Sequence, residues 1–113
     1  MTPRELARIC KCLSADTRLR LLRLLKEQTL CVGALARRLR ITPGAVSQHL
    51  RVLREAGLVV PEKRGYFVHY RVDQQGLDQW LSALREVFGS QARPEYGPPA
   101  FFLARTTKGE KDV

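Results

Sequence analysis

TPGAVSQHLRVLREAG, Thr42 to Gly57, is the stretch on which the fold turns. Thr42 is suited to cap a helix. Pro43 presets its first residue, where no amide hydrogen is needed, and Gly57 ends it as a residue that tolerates left-handed backbone. Val46, Leu50 and Leu53 form one stripe. Measured from Val46 at 100° per residue, the far side carries Arg51 at about 140°, Gly44 at about 160° and Gln48 at about 200°, with Ser47 on the flank at about 100°. Such a helix lies on a core through one side and offers hydrogen-bonding side chains on the other.

Working outward, Val32, Leu35, Ala36 and Leu39 predict a helix of about two turns just before it, joined by the turn Arg40 to Thr42. Two short amphipathic helices around a tight turn make a helix-turn-helix. Further upstream, Leu6, Ile9, Cys10 and Leu13 predict a first helix beginning after Pro3. Ser14 is expected to cap a second helix over about Ala15 to Lys26, with Asp16 in its first turn. Leu19, Leu21, Leu22, Leu24 and Leu25 cover a wide arc of that helix and predict a central position.

Downstream of Gly57 the period changes to two. LVV, PEKRG and YFVHYRV predict a hairpin bent near Gly65, with Tyr66, Val68, Tyr70 and Val72 on one face and Pro61 restricting the first strand to a short or edge position. A last helix, about Gln74 to Phe88, carries Leu77, Trp80, Leu81, Leu84 and Phe88 on one stripe. Residues 1–88 are thus expected to form one winged helix-turn-helix domain, mainly α with a small β-hairpin. Residues 89–113, rich in Pro and charge, read as an irregular tail in which Phe101, Phe102 and Leu103 could dock.

Charge agrees with this layout. The 113 residues hold 20 Lys and Arg against 11 Asp and Glu, a balance of +9. Eight basic residues against two acids fall between Arg37 and Arg71, so two thirds of the net charge lies in under a third of the chain. A merely solvated face would not concentrate on a capped helix pair and a Gly-tipped hairpin. Double-stranded DNA is the expected partner, because the second helix of such a pair enters the major groove and the stacking aromatics of single-strand readers are missing from the exposed positions.

Gln48 and Arg51 are the expected base readers, since Gln pairs with adenine and Arg with guanine through two hydrogen bonds each. Ser47 and Thr42 suit phosphate or base contacts. His49, at about 300° on the same wheel, reads either as a phosphate contact or as a structural histidine. Lys63 and Arg64 at the hairpin tip should meet phosphates or the minor groove.

A composition that is 44% hydrophobic supports a globular core. No apolar run approaches the roughly 20 residues that span a bilayer, because Arg20 and Arg23 interrupt Leu19 to Leu25. Met1 to Leu13 shows no secretory pattern, and three cysteines suit a reducing compartment, so a soluble cytoplasmic protein without membrane contact is expected. Neither a Gly-rich phosphate loop nor paired carboxylates in an apolar setting is visible, which argues against an enzyme.

LSADTRLRLLRLL (Leu13–Leu25), TLCVGALARRL (Thr29–Leu39), TPGAVSQHLRVLREAGLV (Thr42–Val59) and KRGYFVHYRV (Lys63–Val72) resemble successive blocks of the ArsR/SmtB family of winged-helix metalloregulatory repressors. The resemblance implies a homodimer through the first and last helices, a palindromic operator, and release by an inducer that is often a metal ion or arsenite. The large apolar stripe of the last helix is consistent with such pairing. Leu6, Ile9, Leu77, Trp80, Leu81, Leu84 and Phe88 are therefore the expected interface.

The sensor departs from the family pattern. Arsenic-sensing members begin the third helix Cys-Val-Cys, whereas here Cys31 and Val32 are followed by Gly33. The Asp and His of zinc-sensing members are missing from the last helix. On the first helix Cys10 lies about 40° from Leu6, inside the apolar stripe, and Cys12 about 240° away, outside it. Cys31 sits at a helix start, which favours a thiolate.

Cys10, Cys12 and Cys31, from one chain or shared with a second, are the candidate ligands for arsenite, antimonite or another thiophilic ion. No cofactor is expected to be needed for DNA binding itself. The alternatives are a thiol redox or persulfide switch on the same fold, inert thiols, and an architectural DNA-binding protein with little sequence preference.

Overall fold

The computed structural model describes residues 1–89; the expected tail, with Phe101 to Leu103, lies outside the described residues. Its elements are α1 (Pro3–Cys12), α2 (Asp16–Glu27), β1 (Leu30–Cys31), α3 (Val32–Leu39), α4 (Pro43–Glu55), β2 (Val59–Arg64), β3 (Phe67–Val72) and α5 (Gln74–Val87). This is a winged helix-turn-helix: α3 and α4 are the helix pair, and β2 and β3 form the wing.

Local chemistry accounts for most boundaries. At α1, the Thr2 hydroxyl accepts from the Glu5 amide at 3.1 Å while the Glu5 carboxylate accepts from the Thr2 amide at 2.9 Å, and Pro3 takes the first turn. Thr42 caps α4 by accepting from the Ala45 amide at 3.1 Å. Asp73 does the same for α5 through the Gly76 amide at 3.1 Å. The cap of α2 corrects the expectation. Ala15, not Ser14, occupies that N-cap, and the Ser14 hydroxyl instead donates to the Lys11 carbonyl at 2.7 Å, closing the end of α1.

The sheet has three antiparallel strands in the order β1-β3-β2. Gly65, at φ 63°, and Tyr66 make a two-residue turn between the paired Arg64 and Phe67, and Gly at the first turn position is what such a hairpin demands. Val68, Tyr70 and Val72 share a face as expected, but Tyr66 belongs to the turn and is fully exposed; with Phe67 at 64% beside it, the wing corrects the expectation that exposed positions carry no aromatics. Pro61 lies on an outer strand, as a residue without an amide hydrogen must.

The core gathers Leu21, Leu35, Val46, Leu50, Leu53, Leu58 and Val59, all essentially inaccessible. The α4 stripe is therefore buried as its period predicts. The arc on α2 is narrower than expected. Leu21 and Leu25 are buried, Leu22 and Leu24 are partly covered, and Leu19 is 51% exposed.

Gly76 lets α5 begin close against the chain that leaves α4: a Cβ there would overlap the Gly57 carbonyl oxygen. No residue of α5 is fully buried, although Leu77 and Trp80 lean on the core.

Candidate nucleic-acid interface

With Val46, Leu50 and Leu53 turned inward, α4 presents Ser47, Gln48 and Arg51 to solvent. Arg51 is held loosely by Glu55 at 3.4 Å, an exposed pair of the kind worth about 0.3–0.5 kcal/mol and easily exchanged for another acceptor. The Thr42 oxygen is occupied by its cap, which leaves its hydroxyl hydrogen to donate. Lys63 and Arg64 are exposed on the wing, where Arg64 meets Glu62 at 3.3 Å.

His49 is tied to the scaffold. Its Nδ1 accepts from Arg18 Nε at 3.2 Å, while Arg18 Nη1 donates to the Cys12 carbonyl at 2.8 Å. One guanidinium from α2 therefore joins the end of α1 to the exposed-side helix α4. An imidazole that accepts at Nδ1 carries its proton on Nε2. That nitrogen has no partner among the described residues and is not sealed from solvent, so it can still donate to a phosphate. The structural reading and the contact reading of His49 are thus compatible. Arg18 gives no periodic or motif signal, and sequence reasoning missed it.

The cysteines require a correction. Cys12 is buried at 7% exposure and Cys10 is exposed, the reverse of the expectation. The covered arc of α1 is centred on Ile9 and runs from Leu6 round to Cys12, so Cys10 falls beyond its other edge. Cys12 Sγ points at the Val52 carbonyl, 3.9 Å away. Burial pushes this thiol above its ordinary pKa, and the nearby Arg18 charge opposes the shift without cancelling it.

The candidate ligand set draws on one chain or on two. Cys10, Cys12 and Cys31 do not converge within one chain, and among the described residues no three His, Cys, Asp or Glu side chains are placed to share an ion. A three-thiolate site confined to one chain therefore does not fit.

Cys31 stands alone at the start of α3, half-buried and directly opposite His69 in the sheet. The two-residue strand that creates this pairing is too short to leave a periodic trace in the sequence.

The expected interface residues also divide. Leu6 and Ile9 are buried within their own chain, which removes them as a free contact surface. On α5, Leu77, Trp80 and Leu84 are half-covered, while Leu81, Val87 and Phe88 stand open, Phe88 at 79%. Among the described residues no helix is long and apolar enough to cross a membrane.

The family model for bacterial regulatory proteins of the arsR family matches residues 15–60, from the start of α2 into β2. The chain is 38% identical over 97 residues to the arsenic resistance transcriptional regulator ArsR1 of Pseudomonas putida, covering 85% of this chain and 75% of that one. It is 33% identical over 78 residues to a cadmium resistance transcriptional regulatory protein, a CadC homolog of Staphylococcus aureus, covering 68% of this chain and 64% of the relative's length. Among solved structures, an ArsR-like transcriptional regulator from Rhodococcus sp. RHA1 superposes with a TM-score of 0.69 at 26% identity, over 96% of this chain and 92% of that one.

Proposed function

Because the chain belongs to the ArsR family of bacterial regulatory proteins, and is thus a DNA-binding transcription regulator and not an enzyme, we propose that it acts as a homodimeric repressor. It holds double-stranded operator DNA and releases it when a thiophilic metal or metalloid, arsenite or antimonite first among them, engages its thiols. The observation that carries the DNA half is the α4 surface. Ser47, Gln48 and Arg51 stand exposed opposite a fully buried stripe, with Lys63 and Arg64 on the wing beside them.

In this reading Gln48 and Arg51 read base edges. Thr42, Ser47, His49, Lys63 and Arg64 hold phosphates and fix the register. Two chains joined through Leu81, Phe88 and the rest of the α5 stripe set two α4 helices about 34 Å apart, or a multiple of it, on successive turns of a palindrome. Its place of work is then the cytoplasm, with the DNA.

The inducer half is supported by the roles of two relatives, in arsenic and in cadmium resistance. Both elements are thiophilic, and an ion that favours the low-affinity form by a coupling of about 1–3 kcal/mol suffices for release. Since a three-thiolate set does not fit within one chain, the thiols that engage arsenite are drawn from both chains of the dimer.

Gel-shift competition tests the proposal. A labelled palindrome should stay bound under excess random DNA at physiological salt and be released by arsenite under reducing conditions. Equal loss to every competitor would mark an architectural DNA-coating protein. Release by oxidant alone would mark a thiol switch.

A further inference from the structure

We propose that Cys31 and His69 form a two-ligand site for a soft monovalent cation, cuprous ion foremost, at the root of the wing. The two residues occupy one register position, Cys31 on β1 directly opposite His69 on β3. Side chains paired in this way share a face with Cβ atoms about 4.5–5.5 Å apart, a separation that one ion between a sulfur and a nitrogen can bridge. Both residues line a cleft of about 610 Å³, together with Val32, Gly33, Arg37 and Phe67.

A second observation points to a ligand. His69 Nδ1 is shut away from water and has no hydrogen-bond partner among the described residues. Leaving such an atom unsatisfied is unfavourable, and coordination to an ion relieves it.

Donor number selects the ion. On the other flank of His69 lies Glu62 of β2, whose carboxylate turns to Arg64 at 3.3 Å. Among the described residues no third His, Cys, Asp or Glu completes the set. Structural zinc takes four such donors and arsenite is best served by three thiolates, so one thiolate and one imidazole fall short of both. A soft monovalent ion is satisfied by two donors in line, and thiolate with imidazole is a set that copper accepts. On binding, the Cys31 thiol gives its proton to solvent. Thiolate and monovalent cation then cancel, so the occupied site adds no charge beside Arg37.

The position matters for DNA. β1 runs directly into α3, and His69 belongs to the wing, so an ion here clips the helix pair to the wing. As a regulatory site this rests on the repressor reading above; as a binding site it does not.

The test is an anaerobic titration of the reduced 113-residue chain with Cu(I) against a chromogenic chelator, with X-ray absorption at the copper edge. Expected are one ion per chain, a shell of one sulfur and one nitrogen, and no change in the Cys10→Ser/Cys12→Ser double variant. Cys31→Ser and His69→Leu should each weaken binding by about 100-fold or more, and His69→Met, of similar bulk but with a sulfur donor, should restore much of it. Wild-type affinity in His69→Leu, a sulfur-only shell, or loss in the double variant would overturn the site. Arsenite-driven operator release is followed separately on the wild type. Its absence counts against the repressor's inducer and leaves the copper stoichiometry as it stands.

Discussion

Arg18 Nε donates to His49 Nδ1 at 3.2 Å, and the same guanidinium holds the Cys12 carbonyl at 2.8 Å. The orientation of α4 is therefore fixed partly from α2, by a side chain that need not touch DNA. Arg18→Met should lose two charge-assisted hydrogen bonds, each worth about 1.5–3 kcal/mol at most, and lower operator affinity as well as stability. Urea unfolding and fluorescence anisotropy with labelled operator measure the two effects. Unchanged affinity in a destabilised variant would mean that Arg18 serves the fold alone.

The two sides of the DNA surface should fail differently. Gln48→Ala and Arg51→Ala are expected to cost about 1–3 kcal/mol against the preferred base at one position each and to relax selectivity there. Lys63→Ala and Arg64→Ala should weaken all sequences alike and reduce the slope of log affinity against log salt by roughly one for each phosphate that no longer meets a cation. Binding to a randomised operator library at several salt concentrations separates these patterns.

Gly76→Ala reverses an ordinary rule. Alanine inside an exposed helix usually gains about 1 kcal/mol over glycine. Here its Cβ would overlap the Gly57 carbonyl, so a loss of about 1–3 kcal/mol is expected by thermal or urea unfolding. A variant as stable as the wild type would show that the start of α5 can shift freely.

Cys12 should behave as a buried thiol. Its pKa is raised by desolvation, so in the folded chain it stays neutral after the unfolded chain has begun to lose that proton. The stability it contributes is complete below the ordinary thiol pKa and falls as pH climbs through the folded value. Cys12→Val should flatten the decline in unfolding free energy as pH rises above the ordinary thiol value of about 8.5. Iodoacetamide mapping at neutral pH should label Cys10 well before Cys12, and equal rates would contradict the burial.

The open end of α5 supplies a prediction about assembly. Phe88→Asp or Leu81→Asp should leave the monomer core intact, since neither side chain is buried, and convert the proposed dimer to monomers in sedimentation. Losing the second α4 should then reduce affinity for a palindrome by about 100-fold or more. Wild-type sedimentation in both variants would place the interface elsewhere.

What is legible in the sequence is what is local. Thr42, Pro43 and Gly57 punctuate α4 within a few residues of its ends, and the stripe Val46, Leu50 and Leu53 is buried as its period requires. The capping box of Thr2 and Glu5 is also a local signal, carried by T-P-R-E, and it adds to what Pro3 alone indicates. Cys10 and Cys12 trade places because a helical period gives the width of an arc but not its centre. Packing around Ile9 decides that centre, and it comes from other elements. Arg18 and His49 are 31 positions apart, and Cys31 meets His69 only because a two-residue strand joins the sheet. Neither pairing has a sequence signature, since both depend on how distant segments meet.

The wing's sheet stops at three strands for reasons written into its borders. One border, β1, is only two residues long, and the other, β2, carries Pro61 followed by Glu62, Lys63 and Arg64. A border of either kind makes a poor template for a foreign strand. Copies crowded together off DNA, each holding a hairpin out into solvent, are thereby kept from zipping wing to wing into fibres.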